Sequence, residues 1–454
     1  MMRFRSLSCR RELPGIFLGP RCRPALERGK GCTAGLSIPC RTFCAPKSIE
    51  NSASNEPPTG FGAAILREIK ASLKIAFSGI AIVSVVGLTG GYLLEYSKQF
   101  TKVVPPGTIV SIRTAAKDKI SSKNVNNVHI QLRGPSDSKV LVILDGGIGE
   151  TSFDWDKVMN EVAKFALVLA IDRPGLGFSE AGKEPRSAIQ IADEYEAILQ
   201  QIDVPEHVIL VGHGAGGYNM RELASRMENK STAIQSECDG LVLVDALEEN
   251  LRSDLENVSK DVQVALQTLD SNVARAVTLS KFGVIRLVYS IQKEKNKLKF
   301  SPQALEYINH YAPSPTHRQG VVQENAALPL TEQHFRDMSA QNNPKATFPC
   351  VILSHGRPDV FDSLPRIDPG IDTPTLKELE KKWSLAQKRL AQKYPIAIQS
   401  EIEDAGHYIL HEKPDTVAQV IRALIDDYIK KSGNTDQLVA VLPNCYCPNT
   451  VGTK

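Results

Sequence analysis

Five short, nearly unbroken apolar runs, Val140 to Leu144, Leu167 to Ile171, His207 to Val211, Leu241 to Val244 and Cys350 to Leu353, constrain the fold of this chain more than any other feature. A strand with one wet face alternates apolar and polar residues; these runs do not, so each must be covered on both faces, as in a parallel sheet sandwiched by helices. Ile191, Tyr195, Ile198, Leu199 and Ile202 recur at helical spacing between two of the runs and mark a crossover helix. Strands alternating with such helices predict an α/β fold with a mostly parallel sheet. From about 247 to 347 the strand rhythm stops and the sequence turns helical with mixed charge, which predicts a cap over the carboxyl edge of the sheet.

The segment before this domain has a different character. Residues 1–60 are rich in Arg, Ser, Gly and Pro without an apolar period, and the first fifty residues carry ten Lys or Arg against three acids. That composition fits a targeting segment or disordered arm: Arg3, Arg5, Arg10 and Arg11 suit a mitochondrial presequence, while Pro14, Pro20 and Pro24 suit a plain basic arm. With that arm set aside, the rest of the chain is weakly acidic, although the formal net charge of the whole is +3, and a nucleic-acid-binding surface is not expected. Ile75 to Leu94 is twenty residues without a charge, bracketed by Lys70, Lys74, Glu95 and Lys98. Such a stretch is long enough to cross the roughly 30 Å hydrocarbon layer as a helix, so 75–94 is expected to be a single transmembrane span. The basic excess ahead of it predicts an N-terminus on the cytosolic or matrix side. The expected location is therefore a single-pass membrane, mitochondrial if the arm is a presequence and of the secretory pathway otherwise. A polar connector, 97–126, with room for a first strand, leads into the domain at 127–430, and 431–454 reads as a tail. Five of the nine cysteines lie in the arm, and Cys445 and Cys447 lack partners at metal-site spacing, so neither a disulfide framework nor a metal is expected.

Several motifs follow the runs in a fixed order. Asp145-Gly146-Gly147-Ile148-Gly149 comes after the first run, Asp172-Arg173-Pro174-Gly175-Leu176-Gly177-Phe178-Ser179 after the second, and Gly212-His213-Gly214-Ala215-Gly216 turns the third run into a helix. Ala405-Gly406-His407-Tyr408 precedes a last helix beginning near Pro414. Together these resemble the α/β-hydrolase superfamily over about residues 127–430. The resemblance implies a mostly parallel sheet of the eight-stranded type with a helical cap, here preceded by one transmembrane helix. It also implies a sharp strand-to-helix elbow, where family members carry a nucleophilic serine in G-x-S-x-G. This chain has Gly214 there.

The same resemblance assigns the remaining roles. His407 stands at the position of the catalytic histidine, and Asp359 best matches the acid that orients it, with Asp362 and Asp245 as the other candidates. Backbone N–H groups of Gly147, Ile148 and Ala215 would form the oxyanion hole. Without a hydroxyl at Gly214 no acyl-enzyme can form. Ser152 and Ser179 lie in nearby loops as candidate substitutes, and the His213 side chain is expected to point away from the cleft. The leading expectation is a membrane-anchored, degenerate hydrolase that binds a small apolar ligand or acts as a scaffold, without cofactor. The alternative is an active ester or amide hydrolase using water activated by His407. Phe282 to Leu287 is expected as an apolar cap helix, either lining the substrate entrance or packing the cap on itself.

Overall fold

The computed structural model describes residues 61–98, 103–113, 125–340, 346–429, 436–442 and 445–446. The basic arm 1–60 and Cys447 lie outside them. The chain divides into two compact units, 1–71 and 72–454; of the first, only the opening turns of helix α1, Phe61–Lys98, are described. Within α1, Leu66–Lys98 has the length and mean hydropathy to cross a membrane, and none of its most apolar window is buried.

The second unit is built on nine strands: β1 Thr108–Arg113, β2 Val125–Arg133, β3 Val140–Asp145, β4 Leu167–Ile171, β5 His207–His213, β6 Glu237–Val244, β7 Cys350–His355, β8 Ala397–Ile402 and the two-residue β9 Cys445–Tyr446. They form one sheet in the order β1-β2-β4-β3-β5-β6-β7-β8-β9. The six strands from β3 to β8 are parallel, while β2, β1 and β9 are antiparallel additions at the edges. All five apolar runs are strands of the parallel part, and β3, β4 and β7 are buried along their whole length. β1 and the start of β2 fall inside the segment read as a polar connector.

Helices α2 Asp156–Val162, α3 Ala188–Leu199 and α4 Gly216–Glu228 follow β3, β4 and β5. The Ser187 hydroxyl accepts the Gln190 N–H to start α3, whose Ile191, Tyr195 and Ile198 are buried on one stripe against the sheet. The cap comprises α5 Leu251–Glu256, α6 Lys260–Lys281, α7 Val284–Ile291, α8 Lys293–Lys299, α9 Pro302–Tyr311 and α10 Pro315–Ala340. It is inserted between β6 and β7, so it sits over the carboxyl ends of the strands. Helices α11 Thr373–Gln392, α12 Ile409–Glu412, α13 Pro414–Leu424 and α14 Asp436–Val441 complete the unit. Two apolar layers flank the sheet: α2 and α13 pack over Val142, Val211 and Leu353, and α3 and α4 over Ile143, Leu210 and Ile352. Each fully buried side chain of this kind contributes about 1.5–3 kcal/mol, and the resulting rigid sheet fixes the loops at its carboxyl edge.

Candidate active site

Strand β5 delivers the chain to the middle of that edge. Gly214 follows it with φ +52°, the left-handed conformation that makes the elbow sharp. The flanking glycines are there for space: a Cβ on Gly212 would lie 2.6 Å from the Gly216 carbonyl oxygen, and one on Gly216 would lie 2.4 Å from the Asp145 carbonyl oxygen. Gly214 is different. A Cβ there would meet nothing nearer than the Gly147 Cα at 3.5 Å and would stand 3.9 Å from Nε2 of His407.

His407, in the loop after β8, donates from Nδ1 to Oδ2 of Asp245 over 2.6 Å, which leaves Nε2 facing the elbow. Asp245 follows β6 directly with φ +45°, a conformation non-glycine residues rarely adopt, and its carboxylate is held on several sides. It accepts from Nδ1 of His355 at 2.7 Å and from Nε1 of Trp383 at 2.9 Å. Burial alone would raise the Asp245 pKa, but the His355 and His407 hydrogen bonds outweigh it and hold the carboxyl well below its usual range. His355 also donates from Nε2 to Glu380 at 3.0 Å. Burial opposes its charge, yet the bonds to Asp245 and Glu380 carry its pKa up to about 10.

The acid that orients His407 is therefore Asp245. Asp359, the residue the motif position favoured, is taken by Arg357 two residues earlier, with Nε to Oδ2 at 2.6 Å. The Asp362 backbone N–H makes a long turn hydrogen bond, 3.4 Å, to the Asp359 carbonyl. His213 also departs from expectation: its ring lies 4.7 Å from the His407 ring and forms part of the wall of the site. Nδ1 of His213 donates to Glu150 at 2.8 Å, and Nε2 lies 3.1 Å from the His407 carbonyl oxygen.

Glu150 changes the expected oxyanion hole as well. Its Oε2 accepts the Gly147 N–H at 2.6 Å, so that amide is committed. No hydrogen bond of the Ile148 or Ala215 amide is found among the described residues. Those two residues pack with Leu328 of α10 around a cavity of only about 20 Å³, roughly the room one water needs. The loop behind is clamped by the buried Arg173, which donates to Asp145, to the Gly146 and Gly147 carbonyls and, through Nε and Nη2, to both oxygens of Glu324 on α10.

The hydroxyls of both loop serines are bonded to Asp172. Ser152 Oγ donates to Asp172 at 2.6 Å and accepts from Gln131; Ser179 Oγ is bonded to the Asp172 carbonyl at 2.5 Å. Among the described residues, Glu150, Asp154 and His411 are the three side chains whose donor atoms come within 4.8 Å of one another in a way a cation could use. They line a polar cavity of about 310 Å³ with Tyr289, Arg318 and Tyr408. A second cavity, of about 160 Å³, has an apolar wall of Leu247, Leu251, Leu255, Leu266, Leu269 and Trp383 and a charged one that includes Glu248, Arg252 and Glu332. It adjoins the elbow, because the Leu247 N–H bonds the Gly214 carbonyl at 3.0 Å and the Trp383 ring lies 5.3 Å from that of His407.

Residues 141–420, from β3 through most of α13, match the model of the alpha/beta hydrolase family. The chain belongs to that family. Among curated proteins, this alpha/beta hydrolase is similar to an AB hydrolase superfamily protein of Gibberella zeae, at 25% identity over 159 residues, 34% of this chain and 48% of that protein. It is also similar to the uncharacterized protein YqjL of Bacillus subtilis, at 31% identity over 88 residues, 19% of this chain and 34% of that protein. The matched stretch thus spans less than half the length of each relative. Among solved structures, a mutant of a provisionally assigned epoxide hydrolase from Pseudomonas aeruginosa superposes with a TM-score of 0.50 at 17% identity, covering 72% of this chain and 99% of the other. At that identity the likeness concerns the fold alone.

Proposed function

We propose that this chain is a membrane-anchored member of the alpha/beta hydrolase family that holds a small apolar ligand beside an elbow unable to form an acyl-enzyme. The observation that carries this reading is the pairing of Gly214, which has no side chain, with a His407–Asp245 dyad still aimed at it. Family turnover through a covalent intermediate needs a side-chain oxygen or sulfur within reach of that histidine. The two loop serines that would supply one are committed elsewhere. The cavity of about 160 Å³ supports the ligand class, since its leucines and Trp383 give it an apolar wall against which a small apolar ligand could lie. The uncharged stretch of α1 supports the anchor, with the basic arm on the cytosolic or matrix side.

One observation favours a second reading. The space where a Gly214 side chain would stand is bordered by Nε2 of His407, the position from which an imidazole activates water. Hydrolysis would then proceed without an acyl-enzyme: His407 takes a proton from water as the water oxygen bonds to the ester carbonyl carbon, and gives it to the alkoxide that leaves when the tetrahedral intermediate breaks its ester C–O bond.

The full chain in detergent micelles, assayed with a short-chain nitrophenyl ester, separates the two. On the proposed reading the unsubstituted protein turns over no faster than His407→Ala, while the ester or a small hydrocarbon raises its melting temperature. Filling the cavity with Leu251→Trp should abolish that rise. Turnover that disappears in His407→Ala would replace the binding reading with the hydrolytic one.

A further inference from the structure

The end of α1 and the start of α7 are fastened together. The uncharged stretch stops at Leu94, and Tyr92 and Tyr96 stack beside that point with ring centroids 6.5 Å apart, the amphipathic rings that mark the level where a span leaves the hydrocarbon. At that level Gly91 meets the cap backbone directly, because a Cβ there would stand 2.1 Å from the Phe282 carbonyl oxygen. One turn on, Glu95 is only 5% exposed and forms a two-pronged ion pair with Arg286 of α7, whose Nη2 lies 2.9 Å from Oε2. Arg286 Nη1 also donates to the Asn309 and His310 carbonyls of α9, so the joint ties the span to two cap helices.

What this joint presents is apolar. Helix α7 has no buried residue. Leu287 and Ile291, one helical turn apart, are 62% and 74% exposed, and Leu298 on α8 is 83% exposed. A water-facing cap helix would carry polar residues at such positions, and neither expected reading of this segment, lining an inner entrance or packing the cap on itself, accounts for them. Lys281, Lys297 and Lys299, all exposed, supply positive charge around the apolar face, with Lys297 paired at 2.7 Å to the exposed Glu294. Apolar side chains ringed by lysine are the pattern of a helix lying in a lipid headgroup layer rather than against a protein core.

We infer that α7 and α8 dock on the surface of the bilayer spanned by α1, with Leu287, Ile291 and Leu298 seated in the headgroup layer and the neighbouring lysines on anionic lipid. This inference rests on the reading of α1 as a span, and it says in addition where the domain sits on the membrane. The docked helices also supply Tyr289, Gln292 and Asn296 to the polar cavity, which brings that cavity to the lipid surface.

The test uses the full chain reconstituted into phosphatidylcholine–phosphatidylserine vesicles, with and without bromine on the acyl chains. The natural Trp155 and Trp383 are buried and provide the background emission. Leu287→Trp and Ile291→Trp place an indole on the proposed contact without disturbing the core; Leu385→Trp on α11 is an exposed control. Seated about 5–10 Å into the interface, the first two should lose about half their added emission to brominated lipid, and the control should lose none. Vesicle flotation with no quenching at 287 and 291 would overturn the docking and leave the span intact. Failure to float would remove both.

Discussion

His355 and His407 donate to the same oxygen, Oδ2 of Asp245, at 2.7 and 2.6 Å. His355 is pinned at its other nitrogen by Glu380, so it carries both ring protons and a full positive charge at neutral pH. That imidazolium lies between two carboxylates, Asp245 and Glu380, so it matches the charge of Asp245 only in part and the cluster keeps a net negative charge beside His407. The arrangement fixes the orientation of His407 and leaves negative charge to support a proton arriving there.

This pairing makes stability depend on alkaline pH. The His355 pKa is raised in the folded chain from its ordinary 6.5 to about 10, so the folded state holds the proton more tightly than the unfolded state. Its contribution is complete below about pH 6.5 and is lost as pH rises toward 10. Urea midpoints of the full chain, measured across that window, should fall with pH, and the fall should be shallower in His355→Gln.

Gly214→Ser should install the missing nucleophile. The Cβ has room and points toward Nε2 of His407, although a non-glycine residue at φ +52° costs about 1–3 kcal/mol. Ester turnover should rise by about 10²-fold or more over the unsubstituted chain. In that background Asp245→Asn should lose most of the gain, and Asp359→Asn should keep it. The reverse order would return the acid's role to the loop after β7.

Glu324→Ala removes one of the two carboxylates that face the buried Arg173. Leaving that guanidinium half-paired should lower the unfolding free energy by about 3–5 kcal/mol. Because Glu324 belongs to α10 and Arg173 to the loop after β4, the cap should also loosen. Limited proteolysis should cut the cap helices faster in this variant than in Asn325→Ala, which removes a hydrogen bond to Asp270 within the cap.

The parts of this architecture legible in the sequence were unbroken apolar runs and one helical stripe. The five apolar runs became strands and the Ile191–Tyr195–Ile198 stripe became the buried face of α3, because a strand covered on both faces needs apolar residues at successive positions and a helix lying on a sheet needs them at a spacing of 3.6. The elbow and His407 were legible as short motifs. The partner of His407 was not, since Asp245 and Asp359 both end strand-to-loop turns and differ only in where the loop carries them. Arg357, two residues from Asp359, captures it. His355, Trp383 and Glu380 gave no linear signal, as His355 reaches Asp245 from β7 while Trp383 and Glu380 reach Asp245 and His355 from α11. The Glu150 contact that occupies the Gly147 amide and turns His213 inward is a packing event of the same kind.

Gly212 and Gly216 are required by the crossing of β5, β3 and α4, whatever chemistry takes place between them. A descendant of an active enzyme could thus exchange its central hydroxyl for hydrogen and still be obliged to keep the outline of the motif. In this chain the outline records how two pieces of backbone pass each other, and it is no vote for turnover; only the middle position votes.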